Sequence, residues 1–187
     1  MARPLNVAPT KSNHLALSRQ LDFARNGYDL LEQKRQILVY ELMSRLGRAR
    51  DIERRVAEAL GPAFAALRQA SLDIGSAALD DAALAVRLRH EVTLGDQVVM
   101  GIRLPTVAIR AAEEQAQFGL GGTSAGVDDA MTRFLAALPL LGQLAELENA
   151  VLRLARELRK TQRRCNALSR IFMPEYEATI DYISASL

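Results

Sequence analysis

Apolar and small residues recur at alternating steps of four and three along both ends of this chain, while the middle lacks that pattern. From the amino end the series runs Leu17, Leu21, Ala24, Tyr28, Leu31, Arg35, Leu38, Leu42, Arg45, Ala49, Ile52, Val56 and Ala59. Toward the carboxyl end it runs Ala137, Leu140, Leu144, Leu147, Val151, Leu154, Leu158, Thr161, Cys165, Leu168 and Phe172. A stripe with a mean spacing of ~3.5 residues faces one side of a helix and winds left-handedly around a partner stripe. Each end supplies the other's partner. The expected fold is mainly α: a long antiparallel two-helix left-handed coiled coil of the N- and C-terminal segments, with a small middle insert.

A chain of 187 residues suffices for one domain built on such a hairpin. Charged residues make up 25% and the net charge is only +2, which argues against a general nucleic-acid binder. The single cysteine, Cys165, permits no internal disulfide and fits a reducing cytoplasm. No apolar run follows Arg3, so no signal peptide is expected. Charges interrupt the carboxyl-terminal pattern every few residues, so no run of ~18–20 apolar residues that would span a bilayer is expected either. Any membrane contact should be indirect, through other subunits.

Residues 1–9 read as an extended lead-in, with Thr10 or Ser12 as N-cap of the first helix. That helix is expected to run to about Leu60, where Gly61-Pro62 stops or kinks it. Residues 62–84, broken by Gly75, read as two short helices. From Val86 the period changes to two, and alternation continues past Gly95-Asp96 to Pro105; this predicts a hairpin over about 86–105 that turns at Gly95-Asp96. Residues 111–127 read as a loop, and the last helix starts near Asp128-Asp129. Pro139 and Gly142 are expected to disturb its start, and Pro174 to bend its end. The chain thus divides into 1–60, 61–127 and 128–187, forming one domain.

Antiparallel pairing that starts from these ends places residues opposite one another when their numbers total roughly 190. Arg19, Arg25, Lys34 and Arg35 then share a height with Arg153, Arg156, Arg159, Lys160, Arg163 and Arg164, forming a basic collar. Arg35 sits on the seam itself, where a charge is costly unless it reaches solvent or a carboxylate across the pair. Cys165 on the seam reads as a small apolar residue. His14 and His90 have no ligand partner at metal-binding spacing. Gly119-Leu-Gly-Gly-Thr-Ser124 lacks the lysine of a phosphate loop. No cofactor, metal or catalytic group is expected.

Ordered motifs add to this reading. Leu5-Asn-Val-Ala-Pro-Thr10 and Gly27-Tyr-Asp-Leu-Leu-Glu-Gln-Lys-Arg35 open the chain; Val99-Met-Gly-Ile-Arg-Leu-Pro105 and Phe118-Gly-Leu-Gly-Gly-Thr-Ser124 lie in the insert. Leu144-Ala-Glu-Leu-Glu-Asn149, Thr161-Gln-Arg-Arg-Cys-Asn-Ala-Leu168 and Met173-Pro-Glu-Tyr-Glu-Ala-Thr-Ile-Asp-Tyr-Ile183 close it. Together, and in this order, they resemble the D subunit of V/A-type rotary ATPases and ATP synthases. Tyr28 stands where that family usually has His, and Cys165 where it has Val.

The resemblance implies a non-catalytic central-stalk rotor that carries torque between ATP chemistry in a catalytic hexamer and proton or sodium transport through a membrane ring. The implied partners are the A- and B-type catalytic and regulatory subunits of the head, the small F subunit of the central stalk, and the C/d-type socket subunit on the ring, at the cytoplasmic face of the membrane. The implied partner-contact residues are Lys34, Arg35, Arg159, Lys160, Arg163, Arg164, Asn166, Met173 and Pro174 on the shaft, with Val99, Met100, Gly101 and Pro105 on the hairpin. The rival from the heptads alone is a free-standing coiled-coil scaffold or adaptor, which leaves the ordered motifs unexplained.

Overall fold

A computed structural model describes residues 5–86, 90–110 and 123–187. The chain forms α1 (Lys11–Ile74), α2 (Ser76–Ala85), strands β1 (Glu91–Val99) and β2 (Ile102–Arg110), and α3 (Ala125–Ala167); a π-turn (Leu168–Phe172) then leads into α4 (Met173–Ser186). The expected positions Arg87, Leu88 and Arg89, and the Phe118–Gly122 part of the glycine-rich loop, lie outside the described residues. Two compact units result: Met1–Met43 with Arg153–Leu187, and Ser44–Leu152.

Thr10 is the N-cap. Its hydroxyl accepts the Asn13 amide at 3.2 Å, satisfying one of the amides that a helix start leaves unpaired. From there α1 runs through the expected stop at Gly61-Pro62 and ends only at Gly75, whose φ of 84° suits glycine alone. An internal proline removes a donor and crowds the carbonyl four residues back, at a cost of ~3 kcal/mol. Packing on either side outweighs that cost. Ala63 and Ala70 have no exposed surface, and the Phe64 ring meets Phe134 edge-on at 5.2 Å. Residues 62–84 are therefore the end of α1 plus one short helix, α2.

Every seam position expected on α1 is buried or half-buried. On the carboxyl-terminal series the same holds except at Phe172, which is 43% exposed. Full burial of residues such as Leu38 and Leu154 contributes about 1.5–3 kcal/mol each. The seam in the Ser44–Leu152 unit uses small residues, and helices approach closely there. A Cβ added at Gly126 would lie 3.4 Å from the Ala70 Cα.

Facing pairs keep the expected register in one place and depart from it in two. Lys34 meets Glu157 where that register puts it, whereas Phe64 meets Phe134 about two helical turns, and Arg25 meets Glu177 about three turns, further toward the carboxyl end. Heptads fix which face of a helix is buried, but any shift by whole heptads keeps that face.

α3 begins at Ala125, three residues before the expected Asp128, which sits in its first turn. Pro139 and Gly142 lie inside α3 without ending it. Gly142 makes room for the hairpin, because a Cβ there would stand 2.7 Å from Ile109 Cδ1 and 2.9 Å from Cγ1. The missing side chain is the slot in which the hairpin seats. Glu146, one turn on, accepts the Val107 amide at 2.8 Å, so the outer edge of β2 is tied to α3.

The hairpin turns at Met100-Gly101, not at Gly95-Asp96. Met100 has φ 51° and Gly101 φ 78°, the paired positive angles of a two-residue type I′ turn. Gly95 is mid-strand opposite Thr106, and a Cβ on it would lie 2.7 Å from the threonine Oγ1. Its glycine serves cross-strand approach rather than reversal.

Before Pro174 the helix widens. The Met173 amide bonds to the Leu168 carbonyl, five residues back, because the proline cannot continue the ordinary ladder. The expected bend is thus an inserted π-turn, which rotates Phe172 off the seam.

The stretch Ala125–Ser186 is, by length and composition, long and apolar enough to cross a bilayer, where the sequence reading expects no such segment. Its charges thin out around the Leu- and Ala-rich part of α3. Only 22% of its most apolar window is buried within the chain, at residues such as Ala137, Leu147 and Ala150, so most of that apolar surface is not taken up by the chain's own core.

Candidate functional site

In the unit joining Met1–Met43 to Arg153–Leu187, α1 and α3 bring most of the expected basic residues together. Lys34 is half-buried and donates to Glu157 Oε1 at 3.0 Å across the helix pair. The Glu157 carboxyl is held below the ordinary carboxylate range, first by that hydrogen bond and then by the charges of Lys34, Lys160 and Arg164, against the cost of its burial. Arg35 solves its seam position on its own helix. Its guanidinium forks onto Glu32 one turn earlier, with Nε donating at 2.8 Å, rather than reaching a carboxylate across the pair. Glu32 is correspondingly lowered, mainly by the Arg35 hydrogen bond.

Arg159, Lys160, Arg163 and Arg164 are all exposed. They project a band of strongly hydrated charge from the solvent side of α3, while the anchoring pairs sit beneath. Asn166 accepts from Gln162 at 2.9 Å and is also exposed. Arg25 falls outside this band, because it pairs with Glu177 of α4 at 2.8 Å. The collar keeps Lys34 and Arg35 on α1 with the exposed Arg153, Arg156, Arg159, Lys160, Arg163 and Arg164 on α3.

Cys165 is 2% exposed between these groups. Burial, with the Glu32 charge, pushes its thiol up, so it stays protonated at neutral pH and behaves as a small apolar residue. Met173 and Pro174 open α4 and are half-buried.

The hairpin residues belong to the other unit. Val99 closes β1, Met100 and Gly101 form the turn, and Pro105 pairs with Asp96 inside β2. The whole of β1 is open: Val92, Leu94 and Val98 are 54%, 72% and 64% exposed. With β2 tied to α3, β1 is the open edge among the described residues.

Sequence reasoning missed an open apolar groove of about 640 Å³ between α1 and the π-turn, lined chiefly by Phe23, Leu30, Leu168, Phe172 and Tyr176 with Gly27 at its floor. Phe23 and Leu30 are seven residues apart and off the seam, so a second apolar stripe was readable. The π-turn that turns Phe172 outward was not. The carboxylate partners Glu32, Glu157 and Glu177 were also missed, since choosing them requires the register. Among the described residues, no three His, Cys, Asp or Glu side chains come together in a way that could hold a metal.

The family model for the D subunit of ATP synthase matches residues 13–187. The chain belongs to the ATP synthase D-subunit family. It is 34% identical over 183 residues to the D subunit of a V-type ATP synthase from Thermotoga neapolitana, covering 98% of this chain and 90% of that protein. It is 36% identical over 190 residues to the D subunit of an A-type ATP synthase from Thermococcus gammatolerans, and 33% identical to that of Pyrococcus furiosus, covering 100% of this chain and 89% of each relative. The family membership makes the chain a subunit of a membrane-associated ATP synthase, with other subunits of that complex as its partners.

Proposed function

We propose that this protein is the central-stalk axle of a V/A-type rotary ATP synthase, carrying torque between the nucleotide-binding head and the ion-carrying membrane ring. The observation that carries this reading is the paired helices. Every seam position expected on α1 is buried or half-buried, and Lys34–Glu157 and Arg25–Glu177 tie α1 to α3 and α4. Two helices packed side by side share a twisting load along their length, which a single helix cannot do. Residues 1–60 and 128–187 would form the shaft and 61–127 the insert, as one domain.

The axle has no catalytic role of its own; ATP binds on the surrounding A- and B-type subunits. Arg159, Lys160, Arg163 and Arg164, with Lys34, Arg35 and Asn166, face that sleeve. Hydrated cations against a polar sleeve slide over shallow minima, where an apolar face would stick. Met173 and Pro174 shape the shaft end. Val99, Met100, Gly101 and Pro105 on the hairpin face the small F subunit of the stalk and the C/d-type socket, on the cytoplasmic side of the membrane.

The test is co-purification followed by charge reversal. A tagged chain should emerge with nucleotide-binding subunits and the small stalk partner. The combined Arg159→Glu, Lys160→Glu, Arg163→Glu and Arg164→Glu variant should assemble yet hydrolyse ATP with impaired ion pumping. Isolation without nucleotide-binding subunits contradicts the rotor reading. Full coupling in the variant contradicts the role of the basic band alone.

A further inference from the structure

The carboxyl-terminal helix α4 is weakly held by its own contacts. It follows a π-turn and a proline, so the regular four-residue hydrogen-bond ladder of α3 is interrupted before it, although the backbone stays helical. Of its 14 residues only Thr179 and Ile183 are buried. One of those two is polar, and its hydroxyl reaches the other end of the chain.

Thr179 is fully buried. Its hydroxyl donates to the Glu175 carbonyl at 2.6 Å and accepts the Leu5 amide at 2.9 Å. A hydroxyl offers one donor and two lone pairs, so both bonds form at once. The lead-in that brings Leu5 there is itself ordered. Val7 donates back to the Leu5 carbonyl at 2.9 Å, the Asn13 side-chain amide holds the Ala8 carbonyl at 2.8 Å, and Thr10 caps α1. The lead-in is therefore anchored on α1 at one end and on α4 at the other.

We infer that residues 5–10 form a strap that latches α4 onto the start of α1, and that the π-turn at Leu168–Phe172 is the hinge about which α4 loosens when the latch opens. Arg25–Glu177 is a second, exposed tie on the same helix and sets how far α4 moves after release. The hydroxyl of Thr179 is the latch point, because it is the buried polar atom through which α4 meets the strap.

Hydrogen exchange of the full chain tests this. Thr179→Val keeps the shape of the side chain and removes both hydroxyl bonds. Its amides in residues 175–186 should exchange roughly 3- to 10-fold faster, the span expected for losing one net hydrogen bond. Those of 153–165 should be unchanged. Deleting residues 1–9 should give the same local change, and adding Thr179→Val to the deletion should add little. Thr179→Ser, which keeps the hydroxyl, should restore protection.

Three results overturn the inference. The first is unchanged exchange in α4 after the deletion, which reduces Thr179 to an intrahelical role. The second is equal loosening of 153–165 and 175–186, which means general loss of stability. The third is Thr179→Ser behaving as Thr179→Val does.

Discussion

Replacing Gly142 by alanine sets two effects of known size against each other. In a helix interior, Gly→Ala gains about 1 kcal/mol from backbone entropy alone. Gly27 and Gly47 in α1 are free to show that gain undisturbed, since a Cβ at either has nothing within 4 Å. At Gly142 the new Cβ would stand 2.7 Å from Ile109 Cδ1 and 2.9 Å from Cγ1, well inside the 3.5–4.0 Å of good carbon contacts. The terminal methyl can rotate away. The Cγ1 can move only by a change of χ1, which a β-branched side chain resists, or by a shift of the strand, which is also tied through Val107 to Glu146. Forcing a methyl into packed space costs typically about 1–3 kcal/mol. The net change at Gly142 should therefore lie between zero and about 2 kcal/mol destabilising, against about 1 kcal/mol stabilising at Gly47. For a chain of this length one kcal/mol moves the melting midpoint by about 2–4 °C. Thermal unfolding should place Gly47→Ala above the parent and Gly142→Ala at or below it. In an Ile109→Ala background the clash is gone, so Gly142→Ala should become stabilising, giving a coupling well above about 0.5 kcal/mol in the double-mutant cycle. Equal stabilisation at Gly47 and Gly142 would refute the seating of the hairpin in this slot.

Acid should loosen the Lys34–Glu157 tie. The Glu157 carboxyl lies below its ordinary 4.5, so its contribution is complete above that value and disappears as pH falls through the lower folded value. Urea unfolding of Glu157→Gln should show a weaker loss of stability below pH 4.5 than the parent, by up to about 1 kcal/mol for a partly exposed pair; identical acid profiles contradict the assignment. The Cys165 thiol, buried and shifted upward, should ignore a thiol reagent at neutral pH in the native chain and react once unfolded. Rapid native labelling contradicts its place on the seam.

Much of this fold was legible because the heptad is a property of single residues. Leu17, Leu21, Ala24 and Leu38 on α1, and Leu154, Thr161 and Cys165 on α3, are buried as their spacing requires. What depended on two segments at once was not legible. The register holds at Lys34–Glu157 but not at Phe64–Phe134 or Arg25–Glu177, because sliding a stripe along its partner preserves the buried faces, and Arg25, assigned to the basic band, lies against α4 instead. Gly95-Asp96 carries the residue signature of a tight turn, yet the reversal falls at Met100, a residue type that seldom takes positive φ. Pro62 looked like a stop because local rules cannot weigh the buried Ala63 and Ala70 around it. Pro174 announced an irregularity, but its form, a π-turn that exposes Phe172 and opens a groove, came from the backbone ladder. Of the candidate site, the cations were named by their type, and their carboxylate partners Glu32 and Glu157 needed the folded geometry.

Rotation itself is the most direct measurement. A cysteine introduced at the exposed strand position Gln97, in a chain whose native Cys165 is shielded, gives a single attachment point for a probe. With the head of the assembled complex fixed to a surface and ATP supplied, the probe should turn persistently in one direction. A probe that stays still while the same molecules hydrolyse ATP contradicts the axle account.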